Sequence, residues 1–419
     1  MTNSKNIKIN IPKFPKLILQ RLKENGFEGY IVGGCVRDFL LGKNPDDFDI
    51  TTNAKPEDVK RIFKKTIDTG IKHGTVTILF YDNNKPLTYE ITTYRVDGEY
   101  IDGRHPENVK FVSGLKEDLA RRDFTVNAMA YNDEDGIVDE FDGITDIEKK
   151  LIRSVGNPID RFTEDALRLL RAVRFSAKLG FEIEEETKIA IPILSKNLSM
   201  VSKERIQVEL TKTITSDNPE HVANIFSLNL APYICKDFEK VIIGKFEKRL
   251  KTHLAYACLL FNESDIYAKQ FLRELKLDNA CITKVTNLLK AKNIYYNIVK
   301  FYDDSDELSL VLELKNLINF LDYDLTYDFI RLLEINLKND KLLKKIENLV
   351  DSYKKDDVPI FIKDLNIKGE DLIEIGFREK EIGIALNELL KIVHKNRDFN
   401  TKKLLQEIAK KAYNKYISL

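Results

Sequence analysis

Between Ile31 and Thr52 the chain reads IVGGCVRDFLLGKNPDDFDITT, and two features of this stretch can do chemistry. The first is Asp47-Phe48-Asp49. In a strand, residues two apart point to the same face, so the two carboxylates stand side by side while Phe48 turns to the core. Adjacent carboxylates repel each other unless a cation neutralises them, and Mg²⁺ prefers carboxylate oxygens with substrate phosphate completing its octahedron. The spacing therefore predicts a site for two Mg²⁺ ions, with Asp47 and Asp49 as metal ligands and catalytic residues. The bland alternative is a solvated Asp-rich turn, because Asn44-Pro45-Asp46 is turn chemistry. The second feature is Gly33-Gly34, where backbone N–H groups can approach an anion closely and the helix that follows adds its positive dipole end. Arg37 adds a side-chain fork for phosphate oxygens. A phosphate cradle beside a metal-binding carboxylate pair is what transfer of a nucleotidyl group requires first.

Two further stretches carry groups that suit a nucleotide. In Leu119 to Met129, LARRDFTVNAM, Arg122 can reach a triphosphate and Asn127 offers an amide to ribose hydroxyls. Phe124, Val126 and Met129 read as packing, and Asp123 as an ion-pair partner for an arginine. From Arg161 to Gly180, RFTEDALRLLRAVRFSAKLG, the spacing predicts one helix stopped by Gly180. At about 100° per residue, Arg161, Glu164, Asp165, Arg168 and Arg171 share one side, and Ala166, Leu169, Leu170, Val173 and Ala177 the opposite side. Arg174 falls nearer the apolar side. A salt-bridged exposed face is the plain reading of the charged side. The alternative is base recognition. Cytosine presents an amino donor beside the N3 acceptor, and adenine an amino donor beside N1; an Asp acceptor next to an Arg donor complements both. Guanine and uracil present the reverse order, so Asp165 and Arg168 would meet them like against like. A good bidentate pair gives about 1–3 kcal/mol of discrimination, which lets one helix face choose C and A without a nucleic-acid template.

These groups need a scaffold, and the sequence supplies one. A helix from Phe14 to Asn25 feeds the strand Tyr30 to Val32; Lys55 to Phe63 reads as a helix; Thr75 to Tyr81 and Leu87 to Tyr94 alternate as a hairpin turned at Asp82 to Lys85. Asp133 to Asp142 reads as another hairpin turn. The fold class is α+β: a mixed-sheet head followed by helices. The 419 residues are long enough for several domains, and 43% hydrophobic with 32% charged residues is a soluble globular composition. No apolar run reaches the length of a membrane span and Met1 to Lys16 has no signal-peptide core, so a cytoplasmic protein with no membrane partner is expected. The net charge is zero, from 67 Lys+Arg and 67 Asp+Glu, yet Lys391 to Leu419 holds eight Lys/Arg against two Asp/Glu. Such a local excess suits phosphate contacts or a solvated helix face. Cys35, Cys235, Cys258 and Cys281 are too scattered for a disulfide framework or a zinc site.

The motifs around Gly33-Gly34, Asp47/Asp49, LARRDFTVNAM and RFTEDALRLLRAVRFSAKLG resemble those of class II tRNA nucleotidyltransferases, the CCA-adding enzymes, and of the related bacterial poly(A) polymerases. Ser202 to Thr213, SKERIQVELTKT, matches a further family motif, a helix that Ser202 could cap with Arg205 bracing the base-reading helix. The resemblance covers Gly33 to Lys212. It implies a polymerase-β-like nucleotidyltransferase head over residues 1–150, a base-recognition neck over 151–215, a helical body over 216–355 and a tRNA-binding tail over 356–419. It implies CTP and ATP as substrates, tRNA as partner at its 3′ end and elbow, Asp165 and Arg168 as base readers, and Arg171 and Arg174 as nucleotide-binding arginines. Glu90 is either a third metal-site carboxylate or a solvent-facing strand residue. The loop Val96 to Pro106 carries Asp97, Asp102 and Arg104, which fits the family's loop for switching from C to A. Against a poly(A) polymerase, the region after the carboxylate helix reads DTGIKHGTVTILF, without paired arginines; an enzyme adding only A remains the other rival. Some relatives carry a His-Asp hydrolase module near Thr252 to Asn262, and this chain has no His-Asp dipeptide, so no cyclic-phosphate hydrolysis is expected.

Overall fold

The computed structural model of the chain describes residues 8–45, 47–97, 109–337 and 340–417. The chain forms two compact units, Met1–Lys240 and Val241–Leu419. The first therefore runs beyond the neck boundary expected at residue 215.

In the first unit, α1 (Lys13–Glu24) buries Ile18 and Leu22 and ends before Gly26, whose φ of 81° reverses the chain. It is followed by β1 (Gly29–Val32), α2 (Gly34–Leu40), β2 (Asp49–Thr52), α3 (Pro56–Ile62), β3 (Thr66–Gly70), β4 (Thr75–Asp82) and β5 (Lys85–Thr93). The β4–β5 turn places Asn83 and Asn84 at φ 48° and 64°, the mirror-image turn whose twist matches a two-residue hairpin. Then come β6 (Arg95–Asp97), β7 (Val109–Phe111), α4 (Leu115–Ala120), a single 3₁₀ turn over Thr125–Asn127, β8 (Met129–Asn132) and β9 (Gly136–Asp139). Seven strands form one sheet in the order β3-β4-β5-β2-β1-β8-β9. Only the β2–β5 pairing in it is parallel, and the sheet is therefore mixed, as expected. The strands β3, β6 and β7 were not legible: each has five residues or fewer, too few for alternation to stand out.

The helical part of this unit consists of α5 (Gly143–Lys149), the short strand β10 (Leu151–Ile152), α6 (Pro158–Glu164), α7 (Leu167–Leu179), β11 (Glu182–Ile183), α8 (Glu185–Leu194), α9 (Lys203–Ile214), α10 (Ala223–Ser227) and α11 (Ala231–Ile234). Leu169, Leu170, Val173 and Ala177 of α7 are buried, as are Ile206, Leu210 and Ile214 of the neighbouring α9. Gly180 ends α7 at φ 69°, a left-handed residue where glycine is favoured. Ser202 occupies the N-cap position of α9 but its hydroxyl makes no capping hydrogen bond, contrary to expectation.

The second unit is all-helical among the described residues: α12 (Thr252–Leu259), α13 (Asp265–Glu274), α14 (Asn279–Asp303), α15 (Glu307–Leu321), α16 (Tyr323–Leu337), α17 (Asp340–Lys355), α18 (Gly369–Ile375), α19 (Lys380–Lys395) and α20 (Lys402–Ile417). The last three share their own apolar cluster of Leu372, Leu389, Leu390, Val393, Leu405 and Ala409. All four cysteines are buried. Among the described residues no helix is long and apolar enough to cross a membrane.

Candidate active site

Asp49 opens β2, opposite Val32 at the end of β1. Asp47 lies just outside the strand, but the alternation expected of a strand persists: Asp47 and Asp49 are exposed and Phe48 is buried, its ring 6.0 Å from that of Phe39. Asp47 Oδ1 accepts a hydrogen bond from the Phe48 N–H at 2.9 Å. Glu90, also exposed, precedes Ile91, which pairs in parallel register with Ile50, so Glu90 sits beside Asp49 on the same face of the sheet. The Asp49 carboxyl is raised above its ordinary pKa, first by desolvation and then by Asp47, with Glu90 acting in the same sense and Arg122 against it. Three like charges crowded there are suited to a divalent cation. Among the described residues no three His, Cys, Asp or Glu side chains converge closely enough to hold a metal alone. A carboxylate pair leaving coordination positions for substrate oxygens is the usual demand of Mg²⁺.

Gly33 connects β1 to α2 at φ 79°, and a Cβ there would lie 3.1 Å from Arg122 Nη1. Glycine is thus required twice, for the backbone angle and for the close approach of the arginine. Gly34 starts α2, with the Arg37 guanidinium behind it. Arg122 comes from the end of α4, where Nη2 donates to Asp118 Oδ2 at 3.3 Å and the buried Nε has no partner among the described residues. Burial opposes the charge of Asp118, yet Arg121, Arg122 and the Thr51 hydroxyl hold its carboxyl below the ordinary value. The Asp118–Arg121/Arg122 spacing of three and four residues was a readable signal that the sequence analysis missed.

Arg37 and Asn127 do not open to a ligand as expected. The Arg37 guanidinium is 2% exposed; Nε and Nη2 donate to Asp38 Oδ1 at 2.9 and 2.7 Å, and Nη1 donates to Asn127 Oδ1. Asn127 in turn donates to Asp123 Oδ1 at 3.1 Å, and Arg171 Nε donates to Asp123 Oδ2 at 2.8 Å. Burial disfavours the Asp123 charge, but Arg171, Asn127 and Arg168 outweigh it and hold the carboxyl far below the ordinary range. A buried polar chain thus runs from α2 through the Thr125–Asn127 turn to α7. Arg37 and Asn127 are two of its links.

The expected single helix from Arg161 is two. Asp165 adopts φ −137° and ψ 103°, which ends α6, and α7 begins at Leu167. Asp165 Oδ1 accepts from the Leu167 N–H at 3.0 Å and Oδ2 from Arg205 Nη2 at 2.8 Å, so Arg205 braces Asp165 itself. Arg168 is 7% exposed; Nη1 donates to Glu164 Oε2 at 2.6 Å and to the Arg161 carbonyl at 2.9 Å, and Nη2 to the Arg121 carbonyl at 3.0 Å. Arg174 is buried, pairs with Glu209 and stacks 3.8 Å over the Phe175 ring. Desolvation lowers its pKa and Glu209 opposes that shift. This arginine is committed to the interior, and Glu209, its partner on α9, was missed because 35 residues separate them. Asp102 and Arg104 of the polar loop lie outside the described residues; Asp97 ends β6. In the second unit His253 Nε2 and Asp328 Oδ2 lie 2.8 Å apart, a His–Asp contact in space that no dipeptide announces.

The profile described as "Poly A polymerase head domain" matches residues 29–153, and "Probable RNA and SrmB- binding site of polymerase A" matches 180–241. A CCA-adding enzyme of Ligilactobacillus salivarius is 38% identical over 415 residues, 96% of this chain and 98% of that protein. One from Lactococcus lactis is 40% identical over 304 residues, 71% of this chain and 75% of that protein. The crystal structure of the Bacillus stearothermophilus CCA-adding enzyme in complex with CTP superposes with a TM-score of 0.79 at 28% identity, covering 97% of this chain and all of that one. A carboxylate pair on a mixed-sheet head, an arginine at a glycine turn and a near full-length match agree: the chain belongs to the CCA-adding enzymes.

Proposed function

We propose that this protein adds C, C and A to the 3′ end of tRNA from CTP and ATP, with Asp47 and Asp49 holding two Mg²⁺ and Glu90 beside them. When bound, the ions supply neutralising charge for the pyrophosphate and make the 3′ hydroxyl a better nucleophile. Arg122, facing Asp49 across Gly33, holds the triphosphate; the Gly33 backbone lets phosphate oxygens come close. Arg37, Asn127 and Asp123 fix the turn that presents these groups.

Asp165 and Arg168 choose the base. A carboxylate accepts about four hydrogen bonds, and two on Asp165 are occupied, leaving acceptor capacity for the amino group of cytosine or adenine. Arg168 has three donors engaged, by Glu164, the Arg161 carbonyl and the Arg121 carbonyl, out of about five. The rest suit N3 of cytosine or N1 of adenine. Because both side chains are held by protein groups before any nucleotide arrives, little freedom is lost on binding.

The observation that carries this reading is the joining of the carboxylate face, the Gly33–Arg122 contact and the Asp165/Arg168 pair within one compact unit. Its test is incorporation by the purified protein on tRNA transcripts ending before CCA, after C and after CC. Growth of all three to CCA is expected with CTP, ATP and Mg²⁺. Extension of the CC-ended transcript alone would make the protein an A-adding enzyme, and long A tracts a poly(A) polymerase.

A further inference from the structure

The head sheet continues past the carboxylates, away from β1, through β5, β4 and β3. Thr77 pairs with Glu90, Leu79 with Thr88 and Tyr81 with Pro86, while Ile67 of β3 pairs with Thr77. Asp49, Glu90, Thr88, Leu79, Tyr81, Ile67 and, by continuation of the register, Lys65 therefore share one face. On the opposite face Val76, Ile78 and Ile91 are buried. On the Asp49 face, Tyr81 is 52% and Ile67 48% exposed, and Lys65 Nζ lies 4.6 Å from the centroid of the Tyr81 ring. An exposed aromatic with a cation on it, next to an exposed aliphatic, is how single-stranded nucleic acid is held without sequence preference.

The occupant follows from the direction of the reaction. In an in-line displacement the attacking oxygen and the leaving oxygen lie on opposite sides of the phosphorus. Gly33 and Arg122, the groups suited to the triphosphate, lie on the β1 side of Asp49. The 3′ hydroxyl must then approach from the other side, over β5, and the strand behind it runs towards β4 and β3. Four strand positions separate Glu90 from Pro86, the partner of Tyr81, which at about 3.3 Å per residue is about 13 Å. That reach corresponds to the unpaired nucleotides just upstream of the reacting end. We propose that Tyr81, flanked by Lys65, Ile67 and Leu79, is a positioning platform on which the single-stranded 3′ end of tRNA stacks while it grows. This rests on the CCA-adding reading above.

The test uses the full chain with Tyr81→Ala and Tyr81→Phe, and tRNA transcripts carrying 2-aminopurine at each of the last three nucleotides in turn. Tyr81→Ala should raise KM for tRNA about tenfold, the loss expected of one stacked base, without moving KM for CTP. Tyr81→Phe should restore it. Fluorescence of at least one 2-aminopurine position should be quenched by the unaltered protein and by Tyr81→Phe, and not by Tyr81→Ala. An unchanged KM for tRNA and unchanged quenching in Tyr81→Ala, or failure of Tyr81→Phe to restore either, overturns the platform. Failure of the unaltered protein to add C or A would instead sink the reading on which it rests.

Discussion

Asp49 carries its charge against desolvation and against Asp47 and Glu90, with Arg122 acting the other way. Removing that charge should therefore separate activity from stability. Asp49→Asn should lower CMP incorporation on the order of 10³-fold, the worth of several kcal/mol at about 1.4 kcal/mol per decade. Its thermal midpoint without added Mg²⁺ should rise, because three crowded carboxylates become two. A fall in both would mean that Asp49 is a structural residue. At Gly33 the constraint is steric. Gly33→Ala places a Cβ 3.1 Å from Arg122 Nη1 at φ 79°, so we expect about 1–3 kcal/mol of destabilisation in urea and a raised KM for CTP as the arginine is displaced. The carboxylate pair was legible because a period of two needs only three neighbouring residues. The buried partners of Arg37 were not legible, for the opposite reason. Whether an arginine meets phosphate or a buried acceptor depends on its partners, and Asn127 stands 90 positions away.

The helix that reads as continuous from Arg161 breaks at Asp165, since apolar spacing survives a one-residue interruption and leaves no mark in the periodicity. What holds the two pieces in place is polar. Asp123 takes hydrogen bonds from the Phe124 N–H at 2.8 Å, Asn127 at 3.1 Å and Arg171 at 2.8 Å, tying the turn before β8 to α7. Its folded pKa is depressed, so the stability it contributes is present above the unfolded value of about 3.9 and is lost as pH falls from there through the folded value. Asp123→Asn should cost on the order of 3 kcal/mol at pH 7. The gap from the unaltered protein should stay constant down to about pH 5 and narrow only below the ordinary carboxylate range. Urea unfolding of both proteins between pH 7 and pH 3 measures this. A gap that is already closed at pH 6 would show that the Asp123 carboxylate is not the tie. None of this network was visible as a unit, although Asp123 beside two arginines did read as one half of an ion pair.

At the scale of the whole chain, 67 basic and 67 acidic residues cancel, so no net field draws in a polyanion and the placement of cations must do it. The longer strands and the helices were legible from periodicity, whereas the short strands β3, β6 and β7 and the break at Asp165 were not. The split into two compact units after Lys240 leaves no such mark, because packing density sets where compact units meet and apolar spacing does not record it. The basic C-terminal tract lies on α19 and α20. Lys402 there is committed to Asp371 at 2.6 Å, whereas Lys403, Lys410 and Lys411 are exposed. If these three contact tRNA phosphates, changing all of them to Gln removes three released counterions per complex. Each contact contributes roughly 0.7–0.9 to the slope of log affinity against log salt, so the line should flatten by about two units. KM for tRNA should rise at low salt, and the variant and the unaltered protein should converge as salt is raised. kcat at saturating tRNA should hold, because phosphate contacts position the substrate without entering the chemistry. Parallel salt lines for the two proteins would move the phosphate contacts elsewhere on the chain and leave the tail lysines as a solvated helix face.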